Sequence, residues 1–208
     1  MAQQVFPTKG NLIASKRSLA LAMLGYDLLD RKRNILIREL MLLVDKAGEL
    51  KASVENVYKE AYAALQVANI SHGVITPYAE CVPVDNGLEI TSRSVMGVEL
   101  PKVTFKAQEL DINYGFMNTT SQLDRAYLAF DKVKKLTAEL AEVESSIYRL
   151  STAIRKTQRR ANALQNIIIP RTRETVKYIS DSLEEKEREE FSRLKVIKAV
   201  KLKKAAGK

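Results

Sequence analysis

The sequence predicts a mainly α chain: a long antiparallel two-helix coiled coil from the N- and C-terminal segments, with a short β-hairpin-containing middle region. Three observations carry this. Apolar residues recur every three or four positions over two long stretches. The prolines and glycines concentrate between those stretches. Aromatics are only 6% of 208 residues and Trp is absent, a composition usual for helical seams of Leu, Ile, Val and Ala.

The first stretch is the more regular. Alternate steps of three and four from Leu12 reach Ser15, Leu19, Ala22, Tyr26, Leu29, Arg33, Leu36, Leu40, Leu43, Ala47, Leu50, Val54, Val57, Ala61, Ala64 and Ala68. Only Ser15 and Arg33 break the apolar series, and no proline lies between Pro7 and Pro77. Such a repeat without a frame shift is the signature of a coiled-coil helix. It predicts a rod of about 85 Å. Gly25 and Gly48 each cost a helix roughly 1 kcal/mol against Ala, which a long seam absorbs. Arg33 has two readings: a polar seam residue that sets the register, or a stem lying over the seam with its charge in water.

The second stretch runs through Leu136, Leu140, Val143, Ile147, Leu150, Ile154, Thr157, Ala161, Leu164 and Ile168 at the same spacing. Leu123, Ala126, Phe130 and Val133 precede it slightly out of phase. Val176, Ile179, Leu183, Phe191, Leu194 and Ile197 follow after a one-residue drift. Drifts of this kind locally change the supercoil. Pro170 lies inside the pattern, and the stripe resumes beyond it. It is therefore expected to kink the helix or remove one backbone hydrogen bond without ending it. A helix over 118–200 would be about 125 Å long.

Residues 71–115 hold three of the five prolines and four of the eight glycines, which marks the reversal between the helices. Leu88 to Phe105, rich in Val, Ile, Thr and Leu with Gly97 near its centre, reads as a β-hairpin. Asn86-Gly87 is a candidate second tight turn, pairing Tyr78–Val84 with Leu88–Val95. The expected divisions are thus an N-terminal shaft helix at 1–70, a middle region at 71–115, a C-terminal shaft helix at 116–200 kinked near Pro170, and a flexible basic tail at 201–208.

The formal net charge is +9. It is +3 over 1–70, −3 over 71–115 and +9 over 116–208, and the last fourteen residues carry six lysines and no acid. A basic end of this kind calls for a negatively charged neighbour. The single cysteine, Cys81, excludes an intramolecular disulfide and fits a reducing compartment. The N-terminus lacks the apolar stretch of a signal peptide, and no run is apolar and long enough to span a membrane.

Catalytic constellations are poor. No GxxxxGK(S/T) phosphate loop is present, and one histidine, His72, excludes any triad or metal cluster needing two. No metal or cofactor site is expected. His72 reads as an ordinary loop residue and Cys81 as a small hydrophobe. The acidic run Glu184, Glu185, Glu187, Glu189 and Glu190 is interrupted by Lys186 and Arg188, and reads as a solvated face with i,i+4 pairs. The basic cluster Arg149, Arg155, Lys156, Arg159 and Arg160 invites a nucleic-acid reading, but Tyr148 alone offers a ring for base stacking.

Two stretches resemble the D subunits of the V/A-type rotary ATPases. Near the start these are Pro7-Thr8-Lys9, Leu12, Lys16-Arg17-Ser18-Leu19, Gly25-Tyr26-Asp27-Leu28-Leu29 and Lys32-Arg33. Near the end they are Arg159-Arg160-Ala161-Asn162-Ala163-Leu164, Ile169-Pro170-Arg171, Thr175-Val176-Lys177-Tyr178-Ile179, and Leu183 to Phe191 with Arg193-Leu194-Lys195. The middle matches only in character.

The resemblance implies a central rotor shaft, cytoplasmic and peripheral to the membrane, with no active site of its own. ATP would be handled by a ring of A and B subunits around the paired chain ends, with Lys16, Arg17, Arg159, Arg160, Arg171 and Arg188 as candidate ring contacts. The small F subunit would bind nearby helix surfaces, and residues 71–115 would face the connector on the membrane ring. No nucleic acid and no direct membrane insertion is expected. The competing readings are a basic coiled-coil nucleic-acid-binding protein, the γ-like shaft of F-type synthases and a generic structural coiled coil. An enzyme in its own right fits least.

Overall fold

The computed structural model describes residues 6–106, 114–115 and 119–206. The elements are α1 (Lys9–His72), α2 (Thr76–Glu80), β1 (Leu88–Val95), β2 (Val98–Phe105), α3 (Ser121–Ala163) and α4 (Ile169–Ala206), with a π-helical turn at Leu164–Ile168 between α3 and α4. The fold class is the expected one: long N- and C-terminal helices and a two-stranded antiparallel hairpin between them. α4 continues to Ala206, past the expected start of a tail at 201.

Local chemistry sets the ends of α1. Thr8 caps its start, accepting the Asn11 N–H on Oγ1 at 3.2 Å and the Leu12 N–H on its carbonyl at 3.0 Å. Gly73 ends it, with φ +75 and its N–H bonded back to the Asn69 carbonyl at 2.8 Å. A left-handed residue just past a helix is best supplied by glycine.

The chain forms two compact units, residues 34–155 and residues 1–33 with 156–208. In the first, α1 packs against α3 in antiparallel sense. Leu36 and Leu150 share a buried cluster, Tyr58 Oη lies 3.2 Å from Thr137 Oγ1, and Tyr62 meets Phe130 edge-on at 5.7 Å. Ala68 packs with Leu123 and Ala126. Rising numbers on α1 meet falling numbers on α3, the pairing of helices joined by a reversal.

The hairpin strands match the expected segment, Leu88 opposite Phe105 and Val95 opposite Val98. Met96 (φ 51) and Gly97 (φ 75) form a two-residue turn with both φ positive, which suits the twist of the flanking strands. The second hairpin does not form. Tyr78 lies in α2, which has Pro77 in its first turn, and the Asp85 carboxylate accepts the Gly87 N–H at 2.8 Å. That side-chain turn takes the place of strand pairing across Asn86-Gly87.

The hairpin lies along the helix pair instead of extending beyond it. Leu100 is buried with Leu36 and Leu150, and Val95 and Val98 pack on the same cluster with Leu40, Leu43 and Ile154. α3 holds the outer edge of β2: the Val103 N–H donates to Glu142 Oε2 at 2.6 Å, and Arg149 Nη1 donates to the Glu99 carbonyl at 3.0 Å. Arg93 pairs with Glu39 of α1.

In the other unit the antiparallel sense is the same. Lys9 Nζ lies 3.0 Å from Glu187, Gly25 faces Leu164, and Arg33 Nη1 donates to Gln158 Oε1 at 3.0 Å. Ile179 has no exposed surface, a burial that stabilises by roughly 1.5–3 kcal/mol.

Pro170 does not stop the C-terminal helix. The π turn precedes it, closed by the Ile169 N–H on the Leu164 carbonyl five residues back. One extra residue in the turn is the one-residue drift of the apolar stripe. Ile168, placed on the seam by spacing, is consequently 43% exposed. Ile169 is half-buried in its stead, and the inward series continues through Thr172, Val176, Ile179 and Leu183.

Candidate partner-binding surfaces

None of the seam residues chosen from spacing on α1 is exposed. Leu36 and Val54 are buried, and Leu19, Tyr26, Leu29, Leu40, Leu43, Leu50 and Val57 are half-buried. On the C-terminal side Val143 and Leu150 are buried, while Leu140, Ile147, Ile154 and Leu164 are half-buried. The outer faces are therefore what partners can reach.

In the unit of the chain ends, Lys16, Arg17, Arg159, Arg160, Arg171 and Arg188 are all exposed. The cross-helix contacts Lys9–Glu187, Gly25–Leu164 and Arg33–Gln158 put Arg188 near Lys9, Arg171 near Ala20, and Arg159 and Arg160 near Arg31. They are spread along the unit and do not form one patch. Arg188 lies 3.8 Å from Glu184, and Arg193 lies 3.6 Å from Glu189, the i,i+4 pairs expected of that acidic run. These exposed pairs contribute little to stability. Glu187 holds the Lys9 amino group above its ordinary pKa by a hydrogen bond and by its charge.

Apolar side chains also face outward in this unit, a feature that seam counting missed. Leu21, Leu24 and Leu28 are 57–68% exposed. Their own three-four spacing, on positions between those of the seam, was the signal available. Phe191, Leu194 and Ile197, expected to continue the stripe, are 51–63% exposed. The reason is length: α1 begins at Lys9, which already faces Glu187. Contiguous exposed apolar surface of this kind marks contact with other molecules.

In the other unit, His72 is the last residue of α1, and its role was not legible in the sequence. Its Nε2 accepts the Thr120 N–H at 3.0 Å and lies 2.7 Å from Thr120 Oγ1, so it satisfies a backbone donor just before α3. Ile70 and Val74, near this reversal, are 85% and 76% exposed. Tyr114 is buried and donates to Asp124 Oδ1 at 2.6 Å. Burial, then this carboxylate, raises its phenol pKa.

At the hairpin base, Lys134 Nζ lies 2.6 Å from Asp85 and 3.1 Å from Asp131. The hydrogen bonds from Lys134 and the Gly87 N–H hold the Asp85 carboxyl below its ordinary value, and the Asp85 bond raises Lys134. Arg149, counted among the basic cluster, is engaged with the hairpin carbonyl described above. Among the described residues no group of three His, Cys, Asp or Glu side chains could hold a metal ion, and no helix is long and apolar enough to cross a membrane.

Comparison with known proteins decides what kind of molecule carries these surfaces. The family model for the ATP synthase D subunit matches residues 11–199. The chain belongs to the ATP synthase D-subunit family. It is 46% identical over 196 residues to the V-type ATP synthase D subunit of Thermotoga neapolitana, covering 93% of this chain and 97% of that one. It is 38% identical over 209 residues to the A-type ATP synthase D subunit of Thermococcus sibiricus, covering 98% of each. With the A-type D subunit of Pyrococcus abyssi it shares 39% over 202 residues, 95% of this chain and 94% of that one.

Membership in the D-subunit family gives the exposed faces a meaning. One component of a V/A-type ATP synthase works within a complex, so the other subunits of that complex are its partners.

Proposed function

We propose that this chain is the central rotor axle of a V/A-type ATPase or ATP synthase, coupling ATP hydrolysis or synthesis in a ring of A and B subunits to rotation of the membrane ring and ion transport. It has no catalytic site of its own; the nucleotide chemistry belongs to the ring. Lys16, Arg17, Arg159, Arg160, Arg171 and Arg188 serve as ring contacts. The F subunit binds helix surfaces near the middle region, and residues 71–115, where Val74 is exposed, face the connector. The chain works on the cytoplasmic side, peripheral to the membrane, and inserts nothing into it.

The observation that carries this reading is the apolar series Phe191, Leu194 and Ile197, which α1 is too short to cover. Burying such a series requires a surrounding protein. Each nucleotide state of a ring binds one orientation of an asymmetric axle better than the others, and that difference in affinity turns it. Torque also needs twisting stiffness, which a close-packed seam supplies.

Leu36→Gly together with Leu40→Gly softens that seam. In reconstituted complexes the double variant is expected to lose ion pumping before it loses ATP hydrolysis. Equal pumping per ATP in variant and wild type overturns the torque reading.

A further inference from the structure

The two edges of the hairpin are treated differently. The strand register and the Lys106 N–H bond to the Gly87 carbonyl at 2.9 Å define which residues bond across the hairpin. Gly87, Glu89, Thr91, Arg93 and Val95 face β2. Leu88, Ile90, Ser92 and Ser94 therefore turn their N–H and C=O groups outward. Two outward groups of β2 are bonded to α3, the Val103 N–H by Glu142 and the Glu99 carbonyl by Arg149, and Pro101 has no N–H to offer. On β1 no described residue bonds the outward groups, and its residues are exposed from Leu88 to Ser94.

This open edge also lacks the usual guards. β1 contains no proline or lysine, and its side-chain charges are already paired, Arg93 with Glu39 and Glu89 with Lys106. Exposed strand edges are ordinarily blunted by such residues because they template pairing with another chain. Beside the start of β1 lies a groove of about 410 Å³, lined in part by Tyr58, Leu88, Phe105, Phe130, Val133 and Ala141.

We infer that β1 receives an extended segment of another protein of the complex as a third strand, with an apolar side chain of that segment seated in the groove beside Leu88. This rests on membership in the ATP synthase D-subunit family and adds a mode of contact. A second copy of this chain fits poorly. Two β1 strands paired antiparallel over their full length put Ser94 of one opposite Leu88 of the other, which leaves the groove empty. A strand from a different protein can place an apolar side chain in that groove, with main-chain bonds for affinity and a side-chain pocket for specificity.

Ser92→Pro tests this with little disturbance of the hairpin. Residue 92 lies opposite Pro101, so the substitution removes only an outward N–H. Ser92→Ala keeps that N–H and is the control. The full-length chain is titrated against the complex stripped of this component. Ser92→Pro is expected to bind about tenfold more weakly than wild type, and Ser92→Ala equally well. Ala141→Trp, which fills the groove, is expected to weaken binding by a similar factor. Hydrogen exchange over 88–95 is expected to slow about tenfold or more on assembly. Unchanged exchange there, or Ser92→Pro binding as wild type does, overturns the inference. So does a concentration-dependent dimer of the free chain that Ser92→Pro abolishes, since it names a second copy as the occupant. Failure of the wild-type chain to bind the stripped complex overturns instead the rotor reading above.

Discussion

The guanidinium of Arg33 reaches across the helix pair, donating from Nη1 to Gln158 Oε1 at 3.0 Å while Nη2 lies 2.6 Å from Asp30 on its own helix. Of the two readings of a polar residue on the seam, this geometry favours the one that ties register. The charge is held by partners on both helices, and the side chain is only 25% exposed.

Removing one partner leaves Arg33 short of an acceptor. Gln158→Ala is expected to lower stability by about 1 kcal/mol in urea unfolding. Replacing both, Arg33→Leu with Gln158→Leu, is expected to restore or exceed wild-type stability, because two apolar residues suit a seam better than a desolvated polar pair. A double variant less stable than either single variant would show the pair to be a net source of stability and sink the register interpretation.

The π turn before Pro170 makes an opposite prediction for two deletions. Deleting Ile168 together with Pro170→Ala removes the extra residue and the ring that obstructs an α-helical ladder. The inward series from Leu164 to Leu183 then regains an unbroken three-four spacing, and the variant is expected to melt close to wild type. Deleting Ile168 alone leaves the proline in an α-helical turn and is expected to cost about 3 kcal/mol. Deleting Glu144, within unbroken α3, rotates the downstream seam by one residue and is expected to abolish cooperative unfolding. Equal effects from the deletions at 168 and 144 would refute the role given to the turn.

Tyr114 predicts an alkaline limit. Burial and Asp124 raise its phenol pKa in the folded chain, so the folded state keeps a proton that the unfolded chain releases near pH ~10. This contribution is full below that pH and is lost progressively as pH rises above it. Tyr114→Phe lacks it. The stability difference between wild type and variant, followed by denaturant unfolding from about pH 8 to about pH 11, is expected to shrink at the upper end. A difference that stays constant across the range would exclude the linkage.

The seams and the two β-strands were legible because they are local patterns. A three-four spacing needs no knowledge of the partner helix to be seen, and Val, Ile and Thr around Gly97 describe strands in any context. The false second hairpin shows the limit. Asn86-Gly87 is a good turn in isolation, but the Asp85 side chain had already claimed the Gly87 N–H. His72 was invisible as a helix-start acceptor because Thr120 lies forty-eight residues away.

Taken by itself, the sequence determined that two long helices share an apolar seam, that a hairpin interrupts them, and to which family the chain is similar. Periodicity and motif strings are properties of neighbouring residues, so they survive without coordinates. Only the tertiary structure decided that Ile169 and not Ile168 turns inward, that Phe191, Leu194 and Ile197 outrun α1, and that the hairpin lies on Leu36 and Leu150 with β2 bonded to α3 and the β1 edge open. Each depends on which backbone donors and apolar faces find partners far along the chain, and spacing alone carries no record of that.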